Sequence, residues 1–475
     1  MPSAAHRIRR LAERHLDAPL PFRIRAWDGT ESDPSPTTPD RSPAPPPPTL
    51  VIRRRRALRR LLWKPGELGL ARGWVSGEIE VEGDLYAVLE ALAGLLHGPE
   101  GRAPGPLALL RDPAVRAAAR ELAALAGPLP PPRPPREERH RTRRPHLHTR
   151  HSDRRAVSHH YDVGNDFYGL VLGPSMVYSC AYWDDPARAA GDLEGAQRAK
   201  LELVARKLGL RPGVRLLDVG CGWGSMALHA AREHGAAVVG VTLSREQAAH
   251  ARERVARAGL SDLVEIRLQD YRDVHDGPYD AVSSIGMAEH VGADRYLEYA
   301  RDLHDLLRPG GRLLNHQISR RPRGDESAYR LDEFIDAYVF PDGELAPVGT
   351  TVGVLERAGF EVRDLESIRE HYALTLRHWV GNLEAGWAHA AALTSPGRAR
   401  VWRLYMAASA LSFERNRIGV NQILAVRTTG SGASGLPLRT RSWTADALTA
   451  APPAVPHAPG AREEPAPDDP LPLPR

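Results

Sequence analysis

The sequence predicts an α/β fold, in which a doubly wound, Rossmann-like domain follows a smaller N-terminal α+β accessory domain. The first observation is that apolar runs alternate with helical stretches after residue 213, as is typical of a parallel sheet with helices on both faces. The second is that the first of these runs, 214–219, ends in a glycine-rich turn that opens a helix. The third is a stretch rich in Pro, Arg and His that separates these elements from shorter ones before residue 128.

Composition sets the domain boundaries. A chain of 475 residues has room for two or three domains with ample core, and much of its proline is clustered, which indicates linkers and tails. We predict an accessory domain at 19–127 with a disordered insertion at about 31–48. A linker at 128–155, the main domain at 156–430 and a disordered tail at 431–475 complete the chain.

The accessory domain contains apolar runs with the spacing of strands and others with the spacing of helices. Two short runs predict strands that pair across the insertion, and a Gly-rich stretch between two helices predicts turns. The first helix carries arginines opposite an apolar face, so it is either a plain surface helix or an interfacial helix that contacts anionic headgroups. The patterns place strands at 21–27 and 50–52, helices at 53–64, 84–96 and 113–125, and turns at 66–83.

The main domain shows the strand–helix alternation most clearly. In a doubly wound sheet, ligands bind at the carboxyl ends of the strands, so the residues that follow each strand are the candidates for a site. The predicted strands are 214–219, Ala237–Thr242, Val264–Leu268, 279–284 and 311–316, and the predicted helices are Ser225–His234, 245–258 and 295–307.

Charge and cysteine usage limit the function classes. The net charge of +5 allows an anionic partner, either a membrane surface or a nucleic acid, and the basic linker is either a solvated tether or an attachment to phosphate groups. The two cysteines, Cys180 and Cys221, cannot build a disulfide framework or a zinc cluster, which fits a reducing cytosol. No apolar run is long enough for a transmembrane helix, so a lipid substrate would be reached from the membrane surface.

A glycine-rich turn closes the first predicted strand of the main domain. Gly220, Gly222 and Gly224 stand at alternate positions shortly after Asp218. The dinucleotide fingerprint instead spaces its glycines as Gly-x-Gly-x-x-Gly and places a carboxylate about 20 residues later. Here the next strand ends at 241–244 without a carboxylate. Both differences argue against a nicotinamide cofactor.

The turn resembles the glycine loop of class I S-adenosylmethionine-dependent methyltransferases. Asp218 would then lie near the methionine amino group of the cofactor, although a strand-end carboxylate can also simply cap its turn. Hydroxyl and amide groups at the second strand end would face the ribose, and a carboxylate after the third strand can accept the adenine amino group. Ser244 is equally suited to be a helix N-cap. The predicted ribose and adenine residues are Thr242, Ser244, Gln247, Asp270 and Tyr271.

Residues 157–427 resemble the cyclopropane-fatty-acyl-phospholipid synthase family, which includes the mycolic acid cyclopropane synthases. The resemblance implies a Rossmann-like methyltransferase domain, S-adenosylmethionine as cofactor, and Tyr178 and Ser179 as further cofactor-binding residues. The N-terminal region resembles the accessory domain that some members carry. Relatives in the same superfamily make 10-methylene branched chains from the same alkene, so both products stay open. The matching motifs are 160–166, 178–183, 217–224, 242–247, 269–273, 286–292 and 338–343.

The family resemblance also implies a bound bicarbonate that acts as the general base. The family positions that hold it correspond to Cys180, Glu289, His316, Ile318 and Tyr338. Histidine and tyrosine can donate hydrogen bonds to an anion, glutamate can orient it when protons are shared, and the cysteine and isoleucine would contribute backbone groups. Taken singly, the glutamate could be a helix cap and the histidine a satisfied strand-end side chain.

The reaction implied by this resemblance has clear physical requirements. A cis alkene is a poor nucleophile and attacks a sulfonium methyl only when the two are held in line in a dry site. The resulting carbocation needs aromatic faces and a base that removes one proton. Loss of that proton from the added methyl closes a cyclopropane, and loss elsewhere leaves an alkene or a methylene group. The aromatic candidates in the matched motifs are Tyr178, Tyr182, Trp183, Tyr338 and Phe340.

One position departs from the family pattern. Family members often carry a cysteine in the helix before the C-terminal strand, where this chain has Ser409. A mechanism that uses that thiol is therefore doubtful for this chain, whereas the bicarbonate mechanism is unaffected. The stretches between 371 and 413, rich in Leu, Trp and Ala, either wall an acyl-chain pocket or pack as ordinary core.

We therefore predict an enzyme that transfers a one-carbon unit from S-adenosylmethionine to the cis double bond of unsaturated phospholipid acyl chains, at the cytoplasmic face of the membrane. The alternative within this class is methylation of another lipid or small molecule. Nucleic-acid methylation is disfavoured, because 283–287 is not of the Asn-Pro-Pro-aromatic type used on flipped bases. The intact glycine turn argues against a non-catalytic lipid-binding protein. Phospholipids are the expected partners, with no nucleic acid and no metal; a homodimer and a reductase that acts on a methylene product stay open.

Overall fold

The chain forms two α/β parts, the accessory domain and the main domain. Apolar residues of both parts, such as Val88 and Trp402, belong to one continuous core. The predicted fold class, a Rossmann-like domain with a smaller α+β domain, is confirmed. The computed structural model describes residues 2–34, 46–96, 113–127, 130–138, 163–184, 191–326, 329, 331–341, 343–438 and 441.

The accessory domain, as far as it is described, has four strands, β1 (Arg23–Arg25), β2 (Glu31–Ser32), β3 (Thr49–Ile52) and β4 (Ile79–Glu82), and five helices, α1 (Ala4–Leu16), α2 (Arg56–Trp63), α3 (Glu67–Val75), α4 (Leu85–Leu96) and α5 (Pro113–Ala126). The strands form one sheet in the order β2-β1-β3-β4. β1 and β3 pair in parallel, with Arg23 opposite Thr49, which confirms the predicted pairing across the insertion. Asp84 accepts the backbone N–H of Tyr86 at 2.9 Å and so caps α4, as predicted.

The accessory domain begins earlier than residue 19, so this predicted boundary is too late. Arg9 of α1 is buried and donates hydrogen bonds to Ser32 Oγ at 2.8 Å and to the carbonyl oxygens of Leu20 and Phe22. The rigid fork of the guanidinium satisfies several buried acceptors at once, and this fixes α1 to the sheet. β2 lies inside the predicted insertion 31–48, of which 35–45 are outside the described residues.

The glycines of the stretch 66–83 serve close packing. α3 and β4 occupy most of this stretch, so the prediction of turns is wrong. A Cβ on Gly69 would lie 2.0 Å from the carbonyl oxygen of Lys64, and a Cβ on Gly73 would lie 2.7 Å from Ile79 Cδ1. Only glycine lets α3 approach α2 and β4 this closely.

The main domain is built on a seven-stranded sheet, and its predicted strands and helices are confirmed. The strands are β5 (Arg215–Val219), β6 (Ala237–Thr242), β7 (Val264–Leu268), β8 (Tyr279–Ile285), β9 (Leu307–Arg320), β10 (Glu361–Ser367) and β11 (Ile418–Val426). Their order is β10-β11-β9-β8-β5-β6-β7. β9, β8, β5, β6 and β7 run parallel, and β11 runs antiparallel to both of its neighbours.

Helices cover both faces of this sheet. They are α6 (Asn165–Leu172), α7 (Leu193–Leu208), α8 (Ser225–His234), α9 (Arg245–Arg257), α10 (Tyr296–Asp305), α11 (Glu333–Tyr338), α12 (Val348–Arg357), α13 (Arg369–Ala385), α14 (Trp387–Leu393) and α15 (Pro396–Glu414). One face packs against α7, α8 and α9, and the other against α10 and α12. The helices α6, α13 and α15 pack with the accessory domain. The carboxyl ends of the parallel strands are therefore covered by these helices and by the accessory domain.

The first part of the predicted linker is docked between the two domains. Glu138 pairs with Arg72 of α3 at 2.5 Å and accepts the hydroxyl proton of Tyr338 at 2.8 Å. Glu137 accepts a hydrogen bond from Ser395 at 3.0 Å, at the start of α15. These contacts join the accessory domain to the main domain. Residues 139–155 of the linker lie outside the described residues.

The described part of the predicted tail follows β11. Leu436 packs against the core beneath α7, and Arg441 donates a hydrogen bond to Asp364 at 2.9 Å. Residues 442–475 lie outside the described residues. In the part of the chain that the structure describes, none of the helices has the length and apolar character needed to cross a lipid bilayer.

Candidate active site

The first pocket lies at the carboxyl ends of β5 and β6, and we call it the glycine-loop pocket. Gly220, Gly222 and Gly224 have φ values of +73°, +55° and +80°, a region that glycine enters without strain. A Cβ on Gly220 would also lie only 2.4 Å from Met287 Sδ. The turn is fixed to β6, because the backbone N–H of Gly220 donates to the Val241 carbonyl at 2.9 Å. The turn thus holds a narrow backbone wall in place.

Asp218 is the buried carboxyl of the glycine-loop pocket. Its Oδ1 accepts a hydrogen bond from Ser283 Oγ at 2.7 Å, whereas its Oδ2 has no partner among the described residues. Burial raises the pKa of Asp218 to about 6, although the Ser283 hydroxyl and the Lys200 ammonium act in the opposite direction. A buried acceptor without a partner costs free energy unless a ligand satisfies it, so Oδ2 fits a ligand amino group.

The second and third strand ends contribute further walls of the glycine-loop pocket. Of the residues predicted for the ribose and adenine, Thr242, Gln247 and Tyr271 line the pocket, and so do Tyr178 and Ser179, Gly220 and Gly222. Gln269 and Arg272 also line it, although the sequence did not single them out as ligand residues. The strand ends therefore converge as the doubly wound fold requires.

Three predicted cofactor residues do not line this pocket. Ser244 is the N-cap of α9 and accepts the backbone N–H of Gln247 at 3.2 Å. Asp270 faces Arg272, whose guanidinium donates to both carboxylate oxygens, at 2.9 and 2.7 Å. Gly224 stands just before α8 and faces Ala251 of α9. For Ser244 and Asp270, local capping and an ion pair occupy the groups that a ligand would use, and Gly224 packs against α9 instead of facing the pocket.

A buried lysine also lines the glycine-loop pocket, and the sequence analysis missed it. Lys200 of α7 is only 1% exposed, and its Nζ donates to Ser179 Oγ at 3.0 Å. Burial lowers the pKa of Lys200 to about 8, whereas Cys180 and Asp218 act to raise it. Its position on an ordinary amphipathic helix gave no local signal, because only the fold brings it to the strand ends.

The second pocket adjoins the first, and we call it the histidine pocket. Four residues line both pockets, namely Tyr178, Ser179, Gly286 and His290. The histidine pocket is the larger, with a cavity volume of about 500 Å³ against about 160 Å³. Its walls are largely aromatic and aliphatic. The aromatic lining residues include Phe334, Phe340, Tyr372, Tyr405 and Phe413.

Glu289 and Ile318 meet in the histidine pocket. Glu289 stands in a short turn after β8, and its Oε1 accepts the backbone N–H of Ile318 at 2.7 Å. Its Oε2 is buried and has no partner among the described residues. Burial raises the pKa of Glu289 to about 7. Near neutral pH this carboxyl can therefore exist both with and without its proton.

His316 lines the same pocket from β9. It is 2% exposed, and its Nδ1 lies 3.3 Å from Nε2 of Gln422, its cross-strand neighbour on β11. Its Nε2 is buried and has no partner among the described residues. Burial, with smaller effects of Lys200 and Lys207, lowers the pKa of His316 to about 3. The imidazole is therefore neutral at physiological pH.

Two of the five predicted catalytic residues lie outside the lining of the histidine pocket. The Cys180 thiol donates to the carbonyl oxygens of Ala181 and Ile368, and burial raises the pKa of this thiol well above its usual value. The Tyr338 hydroxyl donates to Glu138. The prediction that Tyr338 faces the site differs from the structure, because the docked linker takes its hydroxyl. The residues that the structure brings together are Glu289, His316 and Ile318.

Two tyrosines that the sequence did not select occupy the histidine pocket instead. Tyr372 of α13 and Tyr405 of α15 are both mostly buried, and Tyr178 donates to the Tyr405 hydroxyl at 3.4 Å. Ser409, the position that departs from the family pattern, also lines this pocket. The stretches between 371 and 413 thus contribute both pocket wall and core. The sequence signal for Tyr372 was present in that stretch, where wall and core were left as equal alternatives.

One group of side chains in the described chain has the composition of a metal site. Glu202, His229 and His234 lie on α7 and α8, outside both pockets. Both histidine Nε2 atoms contact Glu202 Oε2, at 3.1 and 2.9 Å, and Arg206 donates to the other carboxylate oxygen. The hydrogen bonds from the histidines lower the pKa of Glu202. Hydrogen bonding accounts for this cluster without a metal ion.

The two pockets together can hold a small zwitterion beside an apolar chain. Three buried polar atoms lack partners among the described residues and lie on pocket-lining side chains: Asp218 Oδ2, Glu289 Oε2 and His316 Nε2. The first fits an ammonium group, and the other two fit a small anion that can donate one hydrogen bond and accept another. These residues therefore fit both S-adenosylmethionine and a bicarbonate ion.

The chain is similar to known proteins over the range that holds both pockets. Residues 148–423 match the family model described as mycolic acid cyclopropane synthetase. A "probable fatty acid methyltransferase" of Mycobacterium tuberculosis is 44% identical over 384 residues, which cover 79% of this chain and 86% of that protein. The cyclopropane-fatty-acyl-phospholipid synthase of Escherichia coli K12 is 38% identical over 273 residues, or 58% of this chain and 68% of that protein.

A solved structure shows the same similarity in three dimensions. It is that of the mycolic acid cyclopropane synthase CmaA1 complexed with SAH and CTAB, and its TM-score is 0.54 at 35% sequence identity. The superposition covers 57% of this chain and 97% of that protein. The range matched by the family model contains every lining residue of the two pockets except Glu67 of α3.

Proposed function

The chain belongs to the mycolic acid cyclopropane synthetase family, and on that premise we propose that it adds a one-carbon unit to the cis double bond of an unsaturated phospholipid acyl chain. It is an S-adenosylmethionine-dependent enzyme of a family that methylates or cyclopropanates lipid acyl chains. The observation that carries the proposal is the pair of adjoining pockets, which share Tyr178, Ser179, Gly286 and His290.

The glycine-loop pocket binds the cofactor. S-adenosylmethionine supplies, when bound, an electrophilic methyl group on its sulfonium. Asp218 Oδ2 would accept a hydrogen bond from the amino group, and the turn at Gly220, which has no Cβ, gives the ligand close access to the backbone. Thr242 and Gln247 present the hydroxyl and amide at the second strand end, where the ribose is expected. The crystal structure of the similar cyclopropane synthase with SAH supports this assignment.

The histidine pocket receives the acyl chain. Tyr178, Phe340, Tyr372 and Phe413 give it an aromatic wall, and aromatic faces stabilise positive charge on a neighbouring carbon. The same apolar wall excludes water, which would otherwise trap a carbocation. The alkene would face the shared wall of the two pockets, where Tyr178 borders both. A long-chain additive, CTAB, is present in the related structure.

Proton removal is assigned to the polar side of the histidine pocket. Glu289 and His316 each aim one buried polar atom without a partner into this side. A bicarbonate ion would supply the basic oxygen, and Glu289 and His316 would hold it by one accepted and one donated hydrogen bond. The backbone N–H of Ile318 orients Glu289. Cys180 and Tyr338 have no direct part in this proposal.

The step before proton loss determines the product. Direct loss of a proton from the transferred methyl group closes a cyclopropane, whereas a 1,2-hydride shift followed by loss from the same methyl group leaves a 10-methylene group. Only the second route leads to a methyl-branched chain, and it then requires a reductase as a partner. Methylation of another lipid or small molecule is the alternative function, and it needs no alkene in the histidine pocket.

The substrate reaches the site from a membrane surface at the cytoplasmic face. Arg321 and Arg323 are exposed and line the outer part of the histidine pocket, next to Pro322. Guanidinium groups bind phosphate by paired hydrogen bonds, so this rim suits a phospholipid headgroup above an inserted acyl chain. Trp63 of the accessory domain is 57% exposed, and Lys64 beside it pairs with Glu333 of α11, at the same rim.

The test uses purified protein, cofactor carrying a labelled methyl group, and vesicles. One set contains a monounsaturated phospholipid, and the matched set contains its saturated counterpart. The proposal predicts that label and the mass of one CH₂ group appear in the acyl chains of the unsaturated lipid alone. Label on headgroups or on both lipids would instead support the alternative function. Label in neither lipid would contradict the proposal.

A further inference from the structure

A row of polar side chains crosses three strands behind the histidine pocket. In the sheet register Glu366 of β10 faces Gln422 of β11, and Gln422 faces His316 of β9. Lys207 of α7 is fully buried above this row. Its Nζ lies 2.5 Å from Glu366 Oε2 and 2.9 Å from Gln422 Oε1. The row ends at His316, which reaches the pocket.

Lys207 fixes the orientation of the Gln422 amide. An ammonium group carries only hydrogen-bond donors, so the atom that Gln422 presents to it must be the carbonyl oxygen. The amide NH₂ of Gln422 then faces Nδ1 of His316, at 3.3 Å. Turning the amide over would place NH₂ against an ammonium, where the NH₂ finds no acceptor, and Lys207 would lose the acceptor that Gln422 Oε1 provides. The orientation of a glutamine amide is usually assigned and not observed. Here the lysine allows only one of the two orientations.

The oriented amide in turn fixes the tautomer of His316. The amide NH₂ can only donate, so Nδ1 of His316 must be the acceptor and carries no proton. The ring is neutral, because burial and the nearby Lys200 and Lys207 ammonium groups lower its pKa to about 3. A neutral imidazole has one N–H, which is therefore on Nε2. That atom is buried and has no partner among the described residues.

We propose that Lys207 and Gln422 are positioning residues that hold His316 as its Nε2–H tautomer, so that it offers a donor and not a lone pair to an anion in the histidine pocket. The proposal rests on the assignment of this pocket to an anion, made above. Glu366 completes the arrangement, because it balances the charge of Lys207 and accepts the hydroxyl proton of Tyr182 at 3.2 Å. None of these three residues lines the histidine pocket.

The charged groups around His316 are consistent with this role. Lys200 and Lys207 approach the ring from α7, and both act against its protonation. Glu289 is the carboxyl on the pocket side. Glu366 lies beyond Lys207. With this arrangement the His316 ring stays neutral and can donate through Nε2 without adding a positive charge to the site.

The isosteric change Gln422→Glu is expected to reverse the tautomer of His316. A carboxylate still pairs with Lys207, but it offers only acceptors to His316. The neutral ring must then carry its proton on Nδ1, and Nε2 becomes a lone pair. At lower pH the ring gains a second proton and recovers an Nε2–H. The variant is therefore expected to gain activity as pH falls, where the wild type does not.

The direct measurement is ¹⁵N NMR of protein labelled in its histidine rings, with His316→Gln used to assign the His316 signals by difference. The wild type is expected to show a protonated Nε2 and an unprotonated Nδ1, and Gln422→Glu is expected to show the reverse. Gln317→Glu is the matched control, because Gln317 is buried on the opposite face of β9; it should leave the His316 signals unchanged. A wild-type ring protonated on Nδ1 would overturn the proposal.

The functional measurement is the dependence of turnover on added bicarbonate. Loss of a donor to a buried anion is expected to raise the half-saturating bicarbonate concentration of Gln422→Glu by about tenfold or more. Cofactor affinity, measured by calorimetry, should stay within about twofold of the wild type, since the row does not touch the glycine-loop pocket. An unchanged bicarbonate dependence with a reversed tautomer would contradict the positioning role.

A second variant tests the same proposal in case Gln422→Glu does not fold. Lys207→Met combined with Glu366→Gln removes the ammonium together with the nearer of its two carboxylate partners, and the other, Asp364 at 3.7 Å, keeps its ion pair with Arg441. The amide is then free to turn, and the His316 ring should show both tautomers. A single tautomer equal to that of the wild type would overturn the role of Lys207. The tautomer readout needs no lipid product, so its failure is distinct from failure of the proposed lipid reaction.

Discussion

The two pockets of this enzyme meet at a shared wall, yet a backbone turn shapes one of them and side chains shape the other. The glycine-loop pocket is shaped by a backbone turn, in which Gly220 and Gly222 adopt positive φ and line the pocket. The histidine pocket is shaped by side chains from β9, α13 and α15, with the carboxyl of Glu289 and the imidazole of His316 as its buried polar groups. One pocket depends on the shape of a turn, and the other depends on protonation states.

This difference separates binding from chemistry. Changes in the glycine-loop pocket should alter cofactor affinity, because a Cβ on Gly220 would meet Met287 Sδ at 2.4 Å and Asp218 Oδ2 is left for a ligand. Changes in the histidine pocket should leave cofactor affinity intact and alter turnover, because its polar groups hold and move a proton. Asp218 and Glu289 both have a raised pKa, but Asp218 at about 6 is mostly ionised near neutral pH, whereas Glu289 at about 7 exists in both forms.

The largest effect is expected for Glu289→Gln. The amide can no longer exchange a proton, so turnover should fall by about 10²–10⁴-fold, the usual contribution of a positioned acid or base. Cofactor affinity should remain near the wild-type value by calorimetry. The control is Glu298→Gln, an exposed carboxyl on α10 at the rim of the glycine-loop pocket. Near-normal turnover of Glu289→Gln would show that this residue takes no part in the reaction. It would also contradict the assignment of binding to one pocket and chemistry to the other.

A large effect on binding is expected for Gly220→Ala. The methyl group would meet Met287 Sδ at 2.4 Å on a backbone with a φ of +73°. Such strain costs about 1–3 kcal/mol, so the cofactor dissociation constant should rise by roughly tenfold to a hundredfold. Gly353→Ala, on α12 with open space around its Cβ, is the matched control. Equal cofactor affinity of Gly220→Ala and Gly353→Ala would show that the turn does not set the ligand position.

A moderate effect of pH on cofactor binding is expected from Asp218. Its pKa of about 6 in the free protein lies above the usual value of 3.8, and an ammonium ligand favours the ionised form. Cofactor affinity should therefore rise with pH and level off above pH 6, with a change of about tenfold per pH unit below it. Binding near pH 6 should release protons.

The variant Asp218→Asn checks this assignment. Its cofactor affinity should be weak and nearly independent of pH between 5 and 7.5, measured by calorimetry in two buffers of different ionisation enthalpy. A pH dependence that survives in Asp218→Asn would assign the titration to another group.

The smallest effect is expected for Tyr338→Phe. Its hydroxyl bonds to Glu138 of the docked linker, so its loss should lower the free energy of unfolding by about 1–3 kcal/mol and leave turnover nearly unchanged. Tyr372→Phe and Tyr405→Phe remove hydroxyls inside the histidine pocket and should lower turnover more. A greater loss of turnover for Tyr338→Phe than for these two would restore the role first predicted for Tyr338.

Contiguous motifs allowed the glycine-loop pocket to be predicted well. Asp218 and the three glycines lie within a few residues of one another, and their order encodes a strand, a turn and a helix start. Lys200 could not be predicted in the same way, because it is placed by the packing of α7 against the strand ends. Ser244 and Asp270 were overpredicted, since a polar residue after a strand also serves as a cap or an ion-pair partner.

The histidine pocket was predicted less completely, because its residues come from distant parts of the chain. Motif matching found Glu289, His316 and Ile318, which follow β8 or lie on β9. It also selected Tyr338, whose direction depends on a linker contact that sequence patterns do not reveal. Gln422 carries no sequence signal at all, because its role follows from the antiparallel register of β9 and β11. In the accessory domain, Gly69 and Gly73 predicted turns, but they serve helix packing.

We propose that a one-carbon unit leaves the glycine-loop pocket and loses one hydrogen in the histidine pocket. The most direct measurement is mass spectrometry of a monounsaturated phospholipid after turnover with S-adenosylmethionine that carries a CD₃ methyl group. We expect acyl chains that gain one carbon and retain two deuterium atoms, because the base acts on the transferred group. Lipids that retain all three deuterium atoms, or that contain none, would contradict it.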